Sequence, residues 1–217
     1  MTESAWPKTV FDVECRRCER LAAFLDAGRP SHPDYYLAPV PPFGDRLARL
    51  LVVGLAPGYH GANASGRPFT GDHAGLLLYR TLHRHGFASR PVSVAADDGL
   101  RLPGCRITNA VKCVPPANKP MPAEVRNCNA YLNAELAMLP DGAVVVALGA
   151  IAHAATLRAF GLKAGSAAFA HGAEHALPGG RTLLDSYHCS RYNTQTRRLT
   201  EPMFDAVFAR AKALLER

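Results

Sequence analysis

Leu50-Leu51-Val52-Val53-Gly54-Leu55-Ala56-Pro57-Gly58-Tyr59-His60-Gly61-Ala62-Asn63-Ala64-Ser65-Gly66-Arg67-Pro68-Phe69-Thr70-Gly71-Asp72 decides how this chain folds. Four apolar residues run without polar interruption, which predicts a buried strand. The strand then delivers a nineteen-residue loop, Gly54–Asp72, that holds five glycines. Glycine lets a backbone turn sharply and approach a ligand closely. The loop therefore belongs to a site that wraps something flat or small.

Three further segments predict strands: Arg106–Val111, Ala143–Gly149 and Arg181–Tyr187. The second is continuously apolar, as in a strand covered on both faces. Helical patterns lie between them, at Leu76–Leu82, Pro122–Leu139 and Ala150–Phe160, and Pro202–Leu215 closes the chain. Pro122 and Glu124 suit the first turn of their helix, and Gly161 ends the next. Alternating strands and helices imply parallel pairing. The expected fold is α/β: one domain over residues 1–217, with three α/β/α layers and a central four-stranded parallel sheet. An N-terminal arm, residues 1–45, joins the sheet through Pro39-Val40-Pro41-Pro42. Ligands of such sheets bind beyond the carboxyl ends of the strands. The loops Gly54–Asp72, Lys112–Pro122 and His188–Thr200 should therefore converge on one rim.

The 217 residues are 48% hydrophobic, enough for a single large core. No apolar run is long enough to span a bilayer, and residues 1–12 lack the pattern of a secretory signal. These features predict a cytoplasmic protein. Lys and Arg number 25 against 18 acids, a net charge of +7. That excess favours a polyanionic partner, nucleic acid first.

Six cysteines stand at 15, 18, 105, 113, 128 and 189. A disulfide framework does not suit a cytoplasmic chain of this size, so close spacing points to metal. Cys15 and Cys18 form a C-x2-C pair, and Cys113 and Cys128 bracket a proline-rich stretch. Four thiolates suit zinc or an iron–sulfur cluster, and spacing does not choose between them. Cys105 and Cys189 are expected as small buried hydrophobes, although Cys189 stands beside the site, where an exposed thiol would be open to oxidation. The stretch His188–Thr200 offers a histidine, hydroxyls, amides and three arginines, a phosphate-contacting set. Tyr192 at its middle can wedge into a kinked duplex.

Gly-Leu-Ala-Pro-Gly (54–58) with Phe-Thr-Gly-Asp (69–72), Thr-Asn-Ala-Val-Lys-Cys (108–113), His-Cys-Ser-Arg-Tyr-Asn-Thr-Gln-Thr (188–196) and the four cysteines together resemble the uracil-DNA glycosylase superfamily. They are most similar to its iron–sulfur-containing family 5, or type b. The resemblance runs from Cys15 to about Thr200. It implies a repair enzyme that flips uracil out of DNA and hydrolyses its N-glycosidic bond, leaving an abasic site with no lyase step. Phe69 would stack on the base, Asn109 would read its edge, and His188 would stabilise negative charge on the departing base. Asp72 would face the deoxyribose, supporting the cationic sugar or orienting water. Gly54, Ala56 and Gly58 would complete the base pocket. Lys119, Ser190, Arg191, Tyr192, Asn193, Thr194 and Gln195 would contact DNA. Cys15, Cys18, Cys113 and Cys128 would hold a structural [4Fe–4S] cluster that staples the arm to the proline-rich loop.

Two positions depart from the wider superfamily. Ala56 replaces a water-orienting carboxylate or amide, an absence that family 5 shares. Gly58 replaces the tyrosine with which strict uracil enzymes exclude thymine's methyl group, which predicts broad base tolerance, hypoxanthine included. Two other readings compete. One is an iron–sulfur nucleotide-binding oxidoreductase, but the first strand leads into Gly-x-x-x-Gly and not the dinucleotide fingerprint Gly-x-Gly-x-x-Gly, so neither nicotinamide nor flavin is expected. The other is a non-catalytic zinc-stabilised DNA-binding module, which leaves Phe69, Asp72, Asn109 and His188 unexplained. Nothing in the chain suggests a subunit interface, so a monomer is expected.

Overall fold

The apolar run forms β2, Leu50–Gly54, buried at every position. It lies between β3, Cys105–Asn109, and β4, Val144–Leu148, and β6, Arg181–Ser186, follows β4. These four strands are parallel, as expected. The structure, a computed structural model, describes residues 6–216.

Alternation along the strands builds a layer on each side of the sheet. Leu50, Val52, Val144, Val146 and Leu184 pack with α3, His73–Arg84, and α7, Glu201–Leu215, through Leu78, Leu82, Phe204 and Phe208. Leu51, Val53, Val145, Ala147 and Leu183 pack with α4, Pro122–Ala137, and α5, Ala150–Ala159, through Val125, Leu132, Leu136 and Ala155. Each fully buried aliphatic side chain contributes roughly 1.5–3 kcal/mol. From the arm, α1 (Glu19–Gly28) places Leu21 in the second layer. Pro122 opens α4, and the Met121 N–H donates to the Glu124 carboxylate at 2.7 Å.

The sheet has six strands rather than four. β1, Phe43–Gly44, pairs antiparallel with β3, and β5, Glu174–Leu177, pairs antiparallel with β6. Neither carries an apolar run: β1 is two residues long, and β5 is an edge strand with only Leu177 buried. Both cover an edge that would otherwise expose unpaired backbone groups. Helix α3 begins at His73, before its apolar pattern, so Asp72 stands at its N-cap position. Among the described residues no helix is long and apolar enough to cross a membrane.

Register sets the functional rim. Gly54 is opposite Asn109, and Leu148 is opposite Ser186. The chain therefore leaves β2, β3 and β6 at the same end of the sheet.

Candidate active site

The three loops meet there around a cleft of about 510 Å³, lined in part by Ala56, Gly58, Phe69, Asp72, Asn109 and His188. Gly54 lies beneath it. A Cβ on Gly54 would fall 2.3 Å from Asn109 Oδ1 and 2.6 Å from Phe69 Cζ. Only glycine lets those two side chains close over the end of β2. The buried Asn109 Oδ1 has no hydrogen-bond partner among the described residues. A buried acceptor without a partner is costly, so it is built for one that arrives. The backbone of Asn109 is firmly held: its carbonyl accepts from Lys112 Nζ at 3.0 Å, and that ammonium also pairs with Glu135 of α4.

Phe69 adopts a left-handed backbone, φ 60°, a conformation that a bulky residue rarely takes. Two neighbours enforce it. The Tyr79 hydroxyl donates to the Pro68 carbonyl at 2.7 Å. Gly75, in the first turn of α3, lets that helix close onto the Phe69 carbonyl, where a Cβ would come within 1.8 Å of the oxygen. The Phe69 ring lies nearly parallel to the His188 ring, with centroids 6.1 Å apart and planes inclined by 24°.

Asp72 is held by the start of its own loop. Its Oδ2 accepts from the Ala62 N–H at 3.0 Å, at the head of the short helix α2, Ala62–Ser65. A Cβ on Gly58 would lie 2.1 Å from Asp72 Oδ1, and one on Gly61 would lie 2.0 Å from it. The bare backbone of Gly58 is therefore the seat of the carboxylate. Burial raises the Asp72 pKa above 3.8, and backbone N–H groups of Ala62 and Gly58 partly offset it. Burial draws His188 the other way, from 6.5 to about 4, so its ring is neutral at physiological pH. The Asn193 amide donates to the His188 carbonyl at 2.8 Å.

The cleft rim includes Ser190, Arg191 and Tyr192, with Tyr192 70% exposed. Ser190 caps α6, Arg191–Gln195, by accepting from the Asn193 N–H. The Asn193 side chain braces His188, and the Thr194 hydroxyl donates to backbone carbonyls of the same turn. Gln195 is exposed, as is Lys119 beyond the mouth. The loop places Asn118 at the cleft instead of Lys119, because Ala117 and Asn118 both take positive φ after Pro115 and Pro116. His73 also lines the cleft, with Nε2 3.3 Å from Thr194 Oγ1. Position after the Asp72 cap was the signal for it. Cys105 and Cys189 are fully buried. The Cys189 thiol donates to the Ala74 carbonyl at 3.4 Å, so its exposure to oxidants, expected from its place in the chain, does not hold.

Cys15, Cys18, Cys113 and Cys128 line one small cavity of about 20 Å³ between the arm and α4. Among the described residues, His153, His175 and Asp185 alone form a trio of metal-type donors whose ligand atoms all lie within 4.8 Å. Burial raises the Cys113 thiol strongly and the Cys128 thiol to about 11. Two N–H groups point at sulfur: Lys112 N at 3.2 Å from Cys128 Sγ, and Asn127 Nδ2 at 3.6 Å from Cys18 Sγ.

A doubly covered parallel sheet whose carboxyl rim joins a stacking ring, a buried amide, a carboxylate and a neutral imidazole suits an enzyme that grips a flat heterocycle. The chain belongs to the Uracil DNA glycosylase superfamily, whose family profile matches residues 41–212. It is 52% identical to the Type-5 uracil-DNA glycosylase of Thermus thermophilus over 99% of both chains. It is 44% identical to that of Mycobacterium bovis, over 92% of this chain and 78% of the relative. A Type-4 uracil-DNA glycosylase of Archaeoglobus fulgidus is 39% identical over 52% of this chain and 49% of its own.

Proposed function

We propose that this protein is a type-5 uracil-DNA glycosylase that hydrolyses the N-glycosidic bond of a flipped base and leaves an abasic site. The observation that carries the reading is the unpartnered, buried Asn109 Oδ1 at the floor of a cleft walled by Phe69 and His188. Uracil presents N3–H beside O4, a donor and an acceptor that an asparagine amide pairs at once. Hypoxanthine presents N1–H beside O6, the same pair, and nothing from position 58 narrows the cleft. Both bases are therefore substrates in this reading.

Extracting the base costs a few kcal/mol, least for a mispaired one. Stacking on Phe69 returns roughly 1–3 kcal/mol. Bond cleavage leaves positive charge on the sugar and negative charge on the base. Pre-placed groups at both ends are the strongest lever on such a step. The Asp72 carboxylate faces the sugar cation and orients water, and the neutral His188 ring donates to the base oxygen. The described residues lining the cleft include no lysine for a Schiff base, which supports hydrolysis without a lyase step. Arg191 and Tyr192 at the rim contact the DNA, with Lys119 further out.

The four cysteines fit a [4Fe–4S] cluster in residue type and in convergence on one cavity. When bound, the cluster supplies a covalent staple between the arm and α4. Two N–H···S contacts fix the thiolates.

The test incubates the protein with duplexes carrying uracil, hypoxanthine or thymine opposite guanine, then cleaves abasic sites with alkali. Nicking of the uracil and hypoxanthine strands is expected. Intact uracil duplexes would refute the glycosylase reading. Iron analysis and visible absorption of anaerobically purified protein test the cluster separately, and stoichiometric zinc without iron would count against it.

A further inference from the structure

At the β6–β5 edge of the sheet lies a second set of metal-type donors that the reaction does not use. His153 of α5, His175 of β5 and Asp185 of β6 bring their ligand atoms within 4.8 Å of one another. His153 and Asp185 are buried, and His175 is partly open to solvent.

The hydrogen bonding of His153 leaves a question that a cation answers. His153 Nε2 lies 3.1 Å from the Ala167 carbonyl. A carbonyl only accepts, so Nε2 carries hydrogen, and Nδ1 of the neutral ring presents a lone pair. That lone pair faces Asp185 Oδ1 at 2.8 Å. Two acceptors at that distance require a positive centre between them, either a proton or a metal ion. Asp185 Oδ2 meets His175 Nε2 at 3.0 Å, so the third donor converges on the same carboxylate.

We propose that His153 Nδ1, His175 Nε2 and the Asp185 carboxylate form a binding site for one divalent transition metal, zinc first. Two imidazoles and a carboxylate are a zinc-type donor set with a fourth position left for water. The outer shell is in place. A ligating histidine characteristically donates its other N–H to a carbonyl, as His153 does to Ala167. The Ala170 N–H approaches Asp185 Oδ2 at 3.4 Å. His175, on the edge strand, provides the way in. Binding expels the proton between His153 and Asp185 to solvent and ties α5, β5 and β6 together three residues before His188. This role is separate from the cysteine cavity and from base release.

The test uses the full-length holoprotein, stripped of adventitious metal with a chelator that leaves its iron content unchanged, and then supplied with zinc chloride. After gel filtration the wild type should retain about one zinc per chain. At a hundredfold excess over Kd its Tm should rise by about 5 °C or more. His175→Ala, at a solvent-reachable position, should lose both effects while keeping its iron and its uracil-release rate. Asp185→Asn should lose zinc as well, and its circular dichroism checks that it folds. No zinc on the wild type, or equal zinc on wild type and His175→Ala, would overturn the proposal.

Discussion

Phe69 shows how much one residue's conformation depends on the neighbours packed behind it. Its left-handed backbone persists because Tyr79 holds the Pro68 carbonyl and Gly75 admits the Phe69 carbonyl. Tyr79→Phe should cost about 1–2 kcal/mol in urea unfolding, as a buried carbonyl loses its donor. Gly75→Ala should reduce base release much further, because its methyl and the Phe69 oxygen cannot share the space. Steady-state kinetics on a uracil duplex will show whether that loss falls on kcat. Asp72→Asn and His188→Ala should each slow single-turnover base release roughly 100-fold or more while DNA affinity holds. His188 also carries a stability signature. Its folded pKa, about 4, lies below the ordinary 6.5, so between those values the unfolded chain binds the extra proton. Its contribution to stability is complete above pH 6.5 and is lost as pH falls towards 4. Denaturation series across that window should be flatter for His188→Gln. The identities of Phe69, Asp72, Asn109 and His188 were legible in the motifs. Tyr79 and Gly75 were not, because what they do depends on a helix folding back over a loop.

At the scale of elements, the loop Gly54–Asp72 is anchored through Arg67. The guanidinium is buried, pairs with Asp98 at 2.7 Å and lies 4.1 Å above the Phe43 ring. Arg67, with two backbone N–H groups, holds the Asp98 carboxyl far below the usual range against its own burial. Arg67→Ala leaves the buried Asp98 carboxylate with only the half-exposed Arg90 guanidinium, 3.4 Å away, as counter-charge and should destabilise the protein by about 3 kcal/mol. Chemical denaturation measures this directly, and the companion change Asp98→Ala should recover part of the loss. Composition marked both residues only as members of a surface-type class, and their pairing across 31 positions of sequence had no local signal. The same limit hid β1 and β5. A two-residue strand and a mostly exposed edge strand lack the periodicity that revealed the parallel core.

At the scale of the molecule, the net charge of +7 predicts DNA affinity that falls steeply with salt. A log–log plot of association constant against salt should be linear, and Arg191→Ala should reduce its slope by about one contact's worth. Removing the iron of the proposed cluster should loosen the arm from α4, where Arg20 still pairs with Glu124 at 2.7 Å, and proteolysis near residues 15–18 should then accelerate. The parallel pairing of the four central strands and the shared rim followed from strands that alternate with helices. The seat that Gly58 leaves for Asp72 did not, since it exists only once the loop closes on itself. That same economy of space governs how this protein's substrate range can change. The carboxylate of Asp72 rests where any side chain on residue 58 would begin. A tyrosine at position 58 therefore arrives as a loss before it can act as a filter. Gly58→Tyr alone should be nearly inactive on every base, uracil included. A tyrosine could act as a filter at position 58 only if the seat of the carboxylate at position 72 were rebuilt with it.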